Sequence, residues 1–304
     1  MAPQIDFPRL KEENCKFSII SARHLGELQR EIEGRRHQGQ LDEAFSQEYL
    51  FKFKFAPPPE LPNAQFLVVV AMPRPPTQAT FTWKGKRRSF ILPPTYTADD
   101  EKRLHVERLV AEAVGKSGYK IATPVLPLKL LAVRSGLAEY GRNNIAYVSG
   151  MGSFMRLTAF YSDMPCEKDQ WQTPRMMNRC KKCGLCREAC PTGAISQDRF
   201  LLRAERCLTY HNEKKGDIPF PDWMKPEWHN CLIGCIRCQA ACPENKPFLR
   251  QVGETAEFNE RETKLLLKGT PREKLPPSTM KKMQLLSLTD YFEELPRNLC
   301  ALLS

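Results

Sequence analysis

The hydrophobic pattern of the first 170 residues predicts a sheet. A continuous apolar run occupies residues 66–72 and stops at Pro73, which is typical of a short buried strand. Residues 145–148 and 157–161 are further strand candidates on either side of a glycine turn at residues 150–153. These runs are much too short to be helices that cross a membrane.

A helical pattern lies between these strand candidates. Apolar residues recur there at the spacing of one helix face, at Val106, Leu109, Val110, Ala113 and Val114. Asp99 or Asp100 can cap the amino end, and Gly118 follows the carboxyl end. We expect this helix to pack on the sheet, and strands that alternate with helices suggest an α/β sandwich.

The pattern changes twice further along the chain. Residues 171–250 are dominated by cysteines, and apolar patches at residues 265–267 and 285–288 predict short helices. We therefore predict an α+β protein with three parts. These are an α/β domain over residues 1–170, a cysteine module over 171–250 and a short helical tail over 251–304.

Composition places the chain among globular proteins. It has 304 residues, of which 41% are hydrophobic, enough to build a core. Twelve cysteines could indicate a secreted disulfide protein, but the amino terminus shows no apolar signal segment. We expect a cytoplasmic protein with reduced thiols and no membrane partner.

The net charge is +11. Basic clusters stand at residues 84–88 and 214–215, and a stretch rich in lysine and arginine covers 268–282. Such an excess favours an anionic partner, which could be a nucleic acid, a cofactor that bears phosphate or an acidic electron donor. Ordinary solvated surface accounts equally well for any single cluster.

Nine cysteines lie between residues 180 and 242, and eight of them, in a pattern for two clusters, carry the strongest chemical signal. One set has the spacing C-x2-C-x2-C-x3-C followed by proline, and a second set gives most of another copy. The two sets are Cys180, Cys183, Cys186 and Cys190, and Cys235, Cys238 and Cys242. This is the spacing of bacterial ferredoxins with two 4Fe-4S clusters, so we predict electron transfer. Structural zinc would not use the third cysteine of each run.

Spacing alone leaves one ligand of the second cluster open. Cys231 is one candidate, although it stands four positions before Cys235, and Cys207 is its rival. The remaining cysteines, Cys15, Cys166 and Cys300, are scattered singles that we interpret as thiols without a role.

Several segments resemble the cobalamin-dependent epoxyqueuosine reductases and the related reductive dehalogenases. The resemblance covers about residues 60–250, and its motifs occur in the family's order. They lie at residues 129–143, 152–154, 162–165, 206–210 and 216–219.

The resemblance implies a fold and a ligand set. The fold is a nitroreductase-like α/β corrin-binding domain followed by a ferredoxin-like module with two clusters. Cys207 would complete the second cluster, and Cys231 would be a bystander. One cluster would then use Cys180, Cys183, Cys186 and Cys242, and the other Cys190, Cys207, Cys235 and Cys238.

The resemblance also implies a cobalamin in its base-off state. The Asp-x-His-x-x-Gly motif of proteins that bind cobalt through histidine is absent from the sequence, and we interpret all five histidines as surface or structural residues. The cofactor-binding positions that match the family are Arg134, Gly136, Asn143, Gly152, Ser153, Tyr210, Gly216 and Ile218.

Two departures from the family's pattern bear on the reaction. Ile121 occupies the place where the epoxyqueuosine reductases have an aspartate that is thought to donate a proton. Those enzymes also continue into helical repeats that hold tRNA, of which residues 295–299 resemble only the start. Tyr140 could replace the acid, assisted electrostatically by Arg142.

Three functional hypotheses follow. The first is a cobalamin- and 4Fe-4S-dependent reductase of a small or medium organic substrate, supplied by a low-potential donor such as ferredoxin or flavodoxin. The second is the reduction of epoxyqueuosine in tRNA. The third is an electron-transfer or corrinoid-reducing protein without a substrate of its own.

Overall fold

The computed structural model describes residues 7–96, 100–165 and 168–304. The chain divides into two compact units. Unit 1 consists of Met1–Pro73 and Asp99–Cys183, and unit 2 consists of Arg74–Ala98 and Gly184–Ser304. Each unit contains its own principal sheet.

The strands of the described residues are β1 (Lys16–Ser21), β2 (Phe66–Pro73), β3 (Thr77–Trp83), β4 (Lys86–Leu92), β5 (Ile121–Ala122), β6 (Glu139–Tyr140), β7 (Ala146–Tyr147), β8 (Met155–Ser162) and β9 (Thr255–Phe258). The α-helices are α1 (Pro8–Glu12), α2 (Leu25–His37), α3 (Glu43–Phe45), α4 (Asp100–Gly115), α5 (Leu128–Arg134), α6 (Leu185–Glu188), α7 (Leu208–Asn212), α8 (Arg237–Ala240), α9 (Glu260–Leu267), α10 (Pro277–Leu285) and α11 (Leu295–Leu303). Single turns of 3-10 helix connect many of them, and a π-helical turn follows α3.

The main sheet of unit 1 has the order β1-β2-β8-β5, and every neighbouring pair is antiparallel. Strand β2 is a central strand that pairs on both sides, and its apolar side chains are buried on both faces of the sheet. The strands predicted at residues 66–72 and 157–161 are confirmed. Only Ala146–Tyr147 of the run at 145–148 forms a strand, which pairs with β6 in a separate hairpin.

The predicted amphipathic helix is α4. Its predicted apolar face lies in a core with Phe7, Val68 and Phe160. Gly118, just beyond the helix, has a φ of +81°, a left-handed conformation that glycine adopts without a steric penalty. The predicted cap Asp99 lies outside the described residues, and the helix begins at Asp100.

The α+β class is confirmed, and the strands and helices of unit 1 combine around an antiparallel sheet rather than a parallel one. Strands that alternate with helices usually form a parallel sheet, but the main sheet of unit 1 is antiparallel. The helices of this unit therefore pack on an antiparallel sheet, which is the arrangement of α+β proteins.

Unit 2 contains a hairpin that the sequence pattern did not reveal. Strands β3 and β4 are joined at Lys84 and Gly85, which both have positive φ, and β9 pairs in parallel with β3. The basic cluster at residues 84–88 is the turn of this hairpin and the start of β4. Charged side chains on the exposed positions of β4 concealed the strand.

The C-terminal helices pack with this hairpin in a hydrophobic core. Phe81 of β3 stacks on Phe258 of β9 with ring centroids 4.7 Å apart, and Leu266 of α9 and Leu299 of α11 are buried in the same cluster. Residues 265–267 are helical as predicted. The helix predicted at 285–288 was wrong, because α10 ends at Leu285 and left-handed Ser287 interrupts the chain.

The predicted three parts and the two compact units divide the chain at different residues. Residues 251–304 share unit 2 with the hairpin of β3 and β4 and with the second cysteine motif. Compact packing is a different property from independent folding, so the three-part division stays a prediction. Within the described ranges, the helices are too short or too polar to cross a lipid bilayer.

Candidate functional site

The first cysteines of the ferredoxin pattern stand at the end of unit 1. Cys180 lies in the 3-10 turn Asn178–Lys181 and is buried, and Cys183 is half-buried. The guanidinium of Arg142 donates to the carbonyl of Cys180 at 2.7 and 3.1 Å and to that of Lys181 at 3.4 Å. Arg142 thus satisfies carbonyls that the short helical turn leaves unpaired.

The later cysteines lie on short helices of unit 2. Helix α6 carries Cys186, and helix α8 carries Cys238. These two four-residue helices pack against each other, as expected for two copies of one cysteine motif. Cys190 and Cys242 follow their helices in extended or turn conformations, each directly before a proline.

Three predicted ligands of the second cluster lie within electrostatic range of one another. Burial raises the pKa of the Cys207 thiol to about 11, and the neighbouring Cys235 and Cys190 contribute to that rise. Hydrogen bonds from Thr209 act in the opposite direction. Because buried thiols resist ionisation, a cationic metal centre is what would hold them as thiolates.

Cys231 has a different environment from Cys207. Its side chain is fully buried, and the S–H donates to Oδ1 of Asn230 at 3.2 Å. Among the other cysteines that the structure describes, only Cys235 raises the pKa of Cys231 electrostatically. The pKa of Cys207 is raised in this way by both Cys235 and Cys190. This difference favours Cys207 over Cys231 as the fourth ligand, and the assignment itself stays a prediction.

The remaining cysteines fall in unit 1 and on α11. Burial raises the pKa of Cys15 to about 11, and Cys300 is exposed. Cys166 lies outside the described residues. In the part of the chain that the structure describes, no three His, Cys, Asp or Glu side chains, the predicted cluster cysteines included, are grouped closely enough to hold one metal ion.

The segment 139–147 forms a hairpin in unit 1. Asn143 donates through Nδ2 to the hydroxyl of Tyr147 at 2.9 Å, and Lys129 donates to the backbone and side-chain oxygens of Asn144, both at 2.9 Å. A Cβ at Gly141 would lie 2.5 Å from Asn143 Oδ1, so a larger residue cannot fit this turn unchanged. Asn143, a predicted cofactor-binding residue, is thus part of the hairpin's own hydrogen bonding.

Tyr140, the predicted acid, is buried on β6, two positions before Arg142 in the chain. Its backbone bonds to the strand-like segment that leads to Cys180, through Arg175 and Met177. Burial, and next the charge of Glu31, raise the pKa of Tyr140 well above its usual range, so the phenol stays protonated at neutral pH.

Two other predicted cofactor residues of unit 1 have structural partners. Arg134 donates to Oε2 of the half-buried Glu31 at 2.5 and 2.9 Å, and its guanidinium lies over the ring of Trp171. Gly136 has a φ of +71°, and a Cβ there would lie 2.0 Å from Nε2 of Gln172. Arg134 therefore fixes residues 171–172 near α5, and Gly136 leaves the space that the Gln172 side chain occupies.

Gly152 and Ser153 form the predicted glycine turn. Gly152 has a φ of +59°, and its carbonyl accepts from the N–H of Val148 at 2.9 Å. Ser153 is buried next to it. The turn connects β7 to β8 and places these residues at one end of the main sheet of unit 1.

In unit 2, the loop that follows α7 is fixed by the C-terminal segment. Arg297 of α11 donates to four backbone carbonyls of this loop region, those of His211, Asn212, Lys215 and Ile218, at 2.6–3.1 Å. A Cβ at Gly216 would lie 1.9 Å from the carbonyl oxygen of Glu293. Close approach to this backbone explains why a glycine stands at this position.

The predicted cofactor residues of this loop differ in exposure. Tyr210 is buried beneath the ammonium of Lys214, whereas the side chain of Ile218 is 43% exposed and available to a ligand. The buried Oδ1 of Asn212 and Nδ1 of His229 have no hydrogen-bond partner in the structure. Unpaired buried polar atoms are costly, so they fit a region that contacts a polar cofactor.

One ionic cluster of unit 1 escaped the sequence reasoning. His24 is buried, with Nδ1 at 2.6 Å from Glu27 and Nε2 at 2.7 Å from Asp169, and its ring stacks on Trp171 at 4.4 Å. The hydrogen bond from His24 is the largest contribution that lowers the pKa of Glu27. The interpretation of His24 as a structural residue agrees with these contacts, but Asp169 is 145 positions away and no sequence signal links the two.

The cysteine module is similar to known iron–sulfur domains. Residues 179–245 match the family model described as a 4Fe-4S double cluster binding domain. The match covers both cysteine motifs and the insertion between them. The chain therefore has a domain for two 4Fe-4S clusters, as the spacing predicted.

Similar curated proteins match about half of the chain. Over 164 residues, 51% of this chain, it is 34% identical to the epoxyqueuosine reductase of Burkholderia pseudomallei. Over 160 residues, 50% of the chain, it is 36% identical to that of Pseudomonas aeruginosa. The chain is a homologue of the epoxyqueuosine reductases. The predicted resemblance is thereby confirmed.

This homologue also shares its fold with a solved member of the group. The structure of epoxyqueuosine reductase from Bacillus subtilis superposes with a TM-score of 0.68, at 22% identity, over 98% of this chain and 82% of that chain. The matched segments make up 38% of the Burkholderia pseudomallei protein and 42% of the Pseudomonas aeruginosa protein, so the chain spans less than half of these relatives.

The predicted site residues therefore fall into two groups. In unit 1, Tyr140, Arg142 and Asn143 share one hairpin, and Arg142 contacts the first cysteine motif. In unit 2, Cys190, Cys207 and Cys235 lie within electrostatic range of one another, and the segment from Tyr210 to Ile218 begins in the helix that follows Cys207. Their roles in binding or catalysis stay predictions.

Proposed function

We propose that this protein is an oxidoreductase that uses two 4Fe-4S clusters and a cobalamin to reduce epoxyqueuosine in tRNA. The observation that carries the proposal is the double cluster domain at residues 179–245 within a chain that is 34–36% identical, over about half its length, to epoxyqueuosine reductases. The similar proteins favour this substrate over the small or medium organic substrate of the first hypothesis from sequence.

The chemistry of the substrate agrees with two clusters. Removal of an epoxide oxygen takes up two electrons and two protons and releases water. Each 4Fe-4S cluster carries one electron at a time, so two clusters in one chain can deliver the pair in succession. An epoxyqueuosine reductase with the same fold as this chain has been solved with a modified tRNA stem loop. A modified tRNA is therefore the partner to test for this chain.

A cobalamin fits the donor groups of unit 2. The loop with Tyr210, Gly216 and Ile218 would hold the corrin, and the unpaired polar atoms of Asn212 and His229 could bind its amide side chains. Bound cobalamin would supply a low-valent cobalt that reacts with the epoxide. The chain's own residues would position the corrin and exclude water.

The source of a proton is the main difference from the relatives. Ile121 pairs with Ser162 at the edge of the sheet and packs against the core of unit 1, so its side chain serves packing. Tyr140 is the candidate donor in its place, because its phenol is protonated at neutral pH; burial raises its pKa and makes it a weaker acid, so it would give its proton only to a strongly basic oxygen such as the alkoxide of an opened epoxide. Arg142, whose guanidinium donates to the Cys180 carbonyl, would assist this proton transfer through its positive charge, which stabilises developing negative charge.

An acidic protein is the electron donor that the charge pattern favours. Between Asp169 and Glu188 the chain has no acidic residue and five basic ones, and this stretch includes three predicted cluster ligands. Arg175, Arg179, Lys181 and Lys182 are exposed. A flavodoxin or ferredoxin with an acidic surface would be attracted to this segment, next to a cluster.

Cofactor binding is tested by anaerobic reconstitution with iron, sulfide and cobalamin, followed by iron analysis and EPR. We expect about eight irons per chain and the EPR signal of base-off cobalt(II). Clusters without cobalamin uptake would contradict the proposal and leave the electron carrier that was the third sequence hypothesis.

Substrate turnover is tested with tRNA that contains epoxyqueuosine, by mass spectrometry of the released nucleosides. We expect the deoxygenated nucleoside with wild-type protein and loss of turnover in Tyr140→Phe. Ile121→Asp would restore the carboxylate of the relatives and should accelerate turnover, with Ile121→Asn as the matched control without an acid. An Ile121→Asp variant that loads both cofactors, like wild type, yet shows no turnover would contradict this substrate.

A further inference from the structure

The amide of Asn230 lies between two cysteines of unit 2. Its Nδ2 is 3.2 Å from Sγ of Cys235, and its Oδ1 accepts the S–H of Cys231 at 3.2 Å. Cys235 is a predicted ligand of the second cluster, whereas Cys231 is not. Asn230 therefore connects a ligand sulfur to a buried thiol through one amide group.

The backbone fixes the orientation of this amide. The N–H of Ile236 donates to Oδ1 at 2.9 Å, and Nδ2 donates to the carbonyl of Trp228 at 3.1 Å. A backbone N–H can only donate and a carbonyl can only accept, so the oxygen and nitrogen of the amide cannot be exchanged. The second hydrogen of Nδ2 consequently points to Cys235 as a donor.

Cys231 strengthens this arrangement without being a ligand. Burial raises the pKa of its thiol well above the ordinary value, so the S–H persists at neutral pH and donates to Asn230. The amide oxygen thus receives two donors, one from Ile236 and one from Cys231. Polarisation of the amide through its oxygen strengthens the N–H donors on the other side.

A donor at a ligand sulfur changes the energy of cluster reduction. The reduced cluster carries one more negative charge, part of which resides on the thiolate sulfurs. A hydrogen bond to such a sulfur stabilises the reduced form more than the oxidised form, because charge-assisted hydrogen bonds are stronger. The reduction potential rises as a result.

We propose that Asn230 raises the reduction potential of the cluster held by Cys190, Cys207, Cys235 and Cys238 through its hydrogen bond to Cys235. The inference rests on the proposed function only in requiring that the clusters be present. The step it concerns is the uptake of one electron by the oxidised cluster from an external reductant. Asn230 is a positioning residue in this step, since it acts through the ligand sulfur.

The first test is an anaerobic redox titration of the full reconstituted chain, followed by EPR. In Asn230→Ala we expect one of the two cluster potentials to become more negative and the other to stay unchanged. At a fixed solution potential the ratio of reduced to oxidised second cluster should fall about tenfold, which for one electron corresponds to about 59 mV. Equal potentials in variant and wild type would overturn the inference.

Asn298→Ala is the matched control. Asn298 is also buried in unit 2, and its Nδ2 donates to the carbonyls of Asn212 and Leu232 at 3.0 and 2.8 Å. Its loss should destabilise the fold without a change in either potential. The same shift in both variants would show that general loosening moves the potential, which contradicts the inference.

A second measurement needs no variant. In wild-type protein labelled with ¹⁵N only in asparagine side chains, pulsed EPR of the reduced second cluster should show a coupling to nitrogen. The absence of such coupling would overturn the inference even if Asn230→Ala failed to fold. A wild-type chain without 4Fe-4S signals would instead refute the proposed function, so the two failures are distinguishable.

Discussion

The sheet of unit 1 and the cysteine segment of unit 2 depend on different forces. Strand β2 has eight residues, pairs on both sides and is almost completely buried. Helices α6 and α8 have four residues each, too few for stability in isolation. Apolar burial therefore suffices for the sheet, whereas the cysteine segment needs bonds to a metal cluster.

Unit 2 itself combines both forces. Its hairpin β3–β4 and helices α9–α11 share a hydrophobic core. Residues 184–250 instead contain short helices and loops that surround half-buried thiols. We expect removal of iron to unfold this segment selectively, because metal binding and folding are coupled where ligands hold short elements together.

The largest expected effect is the loss of a cluster. Cys207→Ala should reduce the iron content from about eight to about four per chain and increase hydrogen exchange over residues 184–250, with little change in β2 and β8. Iron analysis and exchange mass spectrometry measure both. Cys231→Ala is the matched control and should keep its iron; selective iron loss in that variant would reverse the ligand assignment.

The sheet should respond to apolar truncation independently of iron. Phe160 is fully buried in the core of unit 1, so Phe160→Ala should lower the free energy of unfolding by about 3–5 kcal/mol. Urea unfolding followed through exchange in β2 and β8 measures it. Phe51, which is 57% exposed, provides the control in Phe51→Ala. If Phe160→Ala lowered the free energy of unfolding of the sheet only after removal of iron, the stability of the sheet would depend on the clusters, which would contradict this prediction.

The loop after α7 depends neither on a large apolar core nor on a cluster, because hydrogen bonds from the single side chain of Arg297 fix its backbone. Arg297→Ala would leave carbonyls of residues 211–218 without donors, a cost of about 1–3 kcal/mol. We expect faster exchange in this loop and about tenfold weaker cobalamin binding, measured by absorbance titration. Arg250, an exposed arginine of the same unit, is the control; an equal effect of Arg250→Ala would reduce the result to lost positive charge.

A pH effect distinguishes the C-terminal helices from the cluster segment. Burial alone would raise the pKa of Glu262, but hydrogen bonds from Lys282, the Asn259 N–H and Thr279 outweigh it and lower the pKa. This lowered pKa stabilises the fold above the ordinary carboxyl range, and the benefit disappears as the pH falls through the folded-state value. Glu262 also completes the capping box of α9 with Asn259.

Glu262→Gln should therefore lower the free energy of unfolding by about 1 kcal/mol at pH 7. The difference from wild type should shrink as the pH falls below the ordinary carboxyl range, in urea titrations between pH 7 and pH 3. Exposed Glu273 of the same unit supplies the control, Glu273→Gln. A constant difference at all pH values would show that the charge of Glu262 contributes nothing.

The smallest expected effect concerns the basic surface. Lys181→Gln combined with Lys182→Gln should slow reduction by an acidic flavodoxin a few-fold at low salt and leave dithionite reduction unchanged, because exposed charges steer association. Stopped-flow reduction at several salt concentrations measures this. A matched loss of tRNA affinity with unchanged donor kinetics would assign the surface to RNA instead.

The predictions from sequence succeeded where the signal was local. The apolar run at 66–72 and the face from Val106 to Val114 specify a buried strand and an amphipathic helix through periodicity alone. The hairpin at β3 and β4 was missed because charged side chains occupy its exposed positions, and its partner β9 lies more than 160 residues further on. Neither the hairpin nor its pairing with β9 has a local signature in the sequence.

The sequence by itself determined that this protein carries a module for two 4Fe-4S clusters, because the spacing of seven cysteines in two motifs encodes the geometry of ligation. The tertiary structure alone decided how distant residues meet. It brought Cys207 near Cys190 and Cys235, placed Arg297 on the loop after α7 and turned the amide of Asn230 toward a ligand sulfur. These contacts depend on packing between segments far apart in the chain, which no local pattern of residues records.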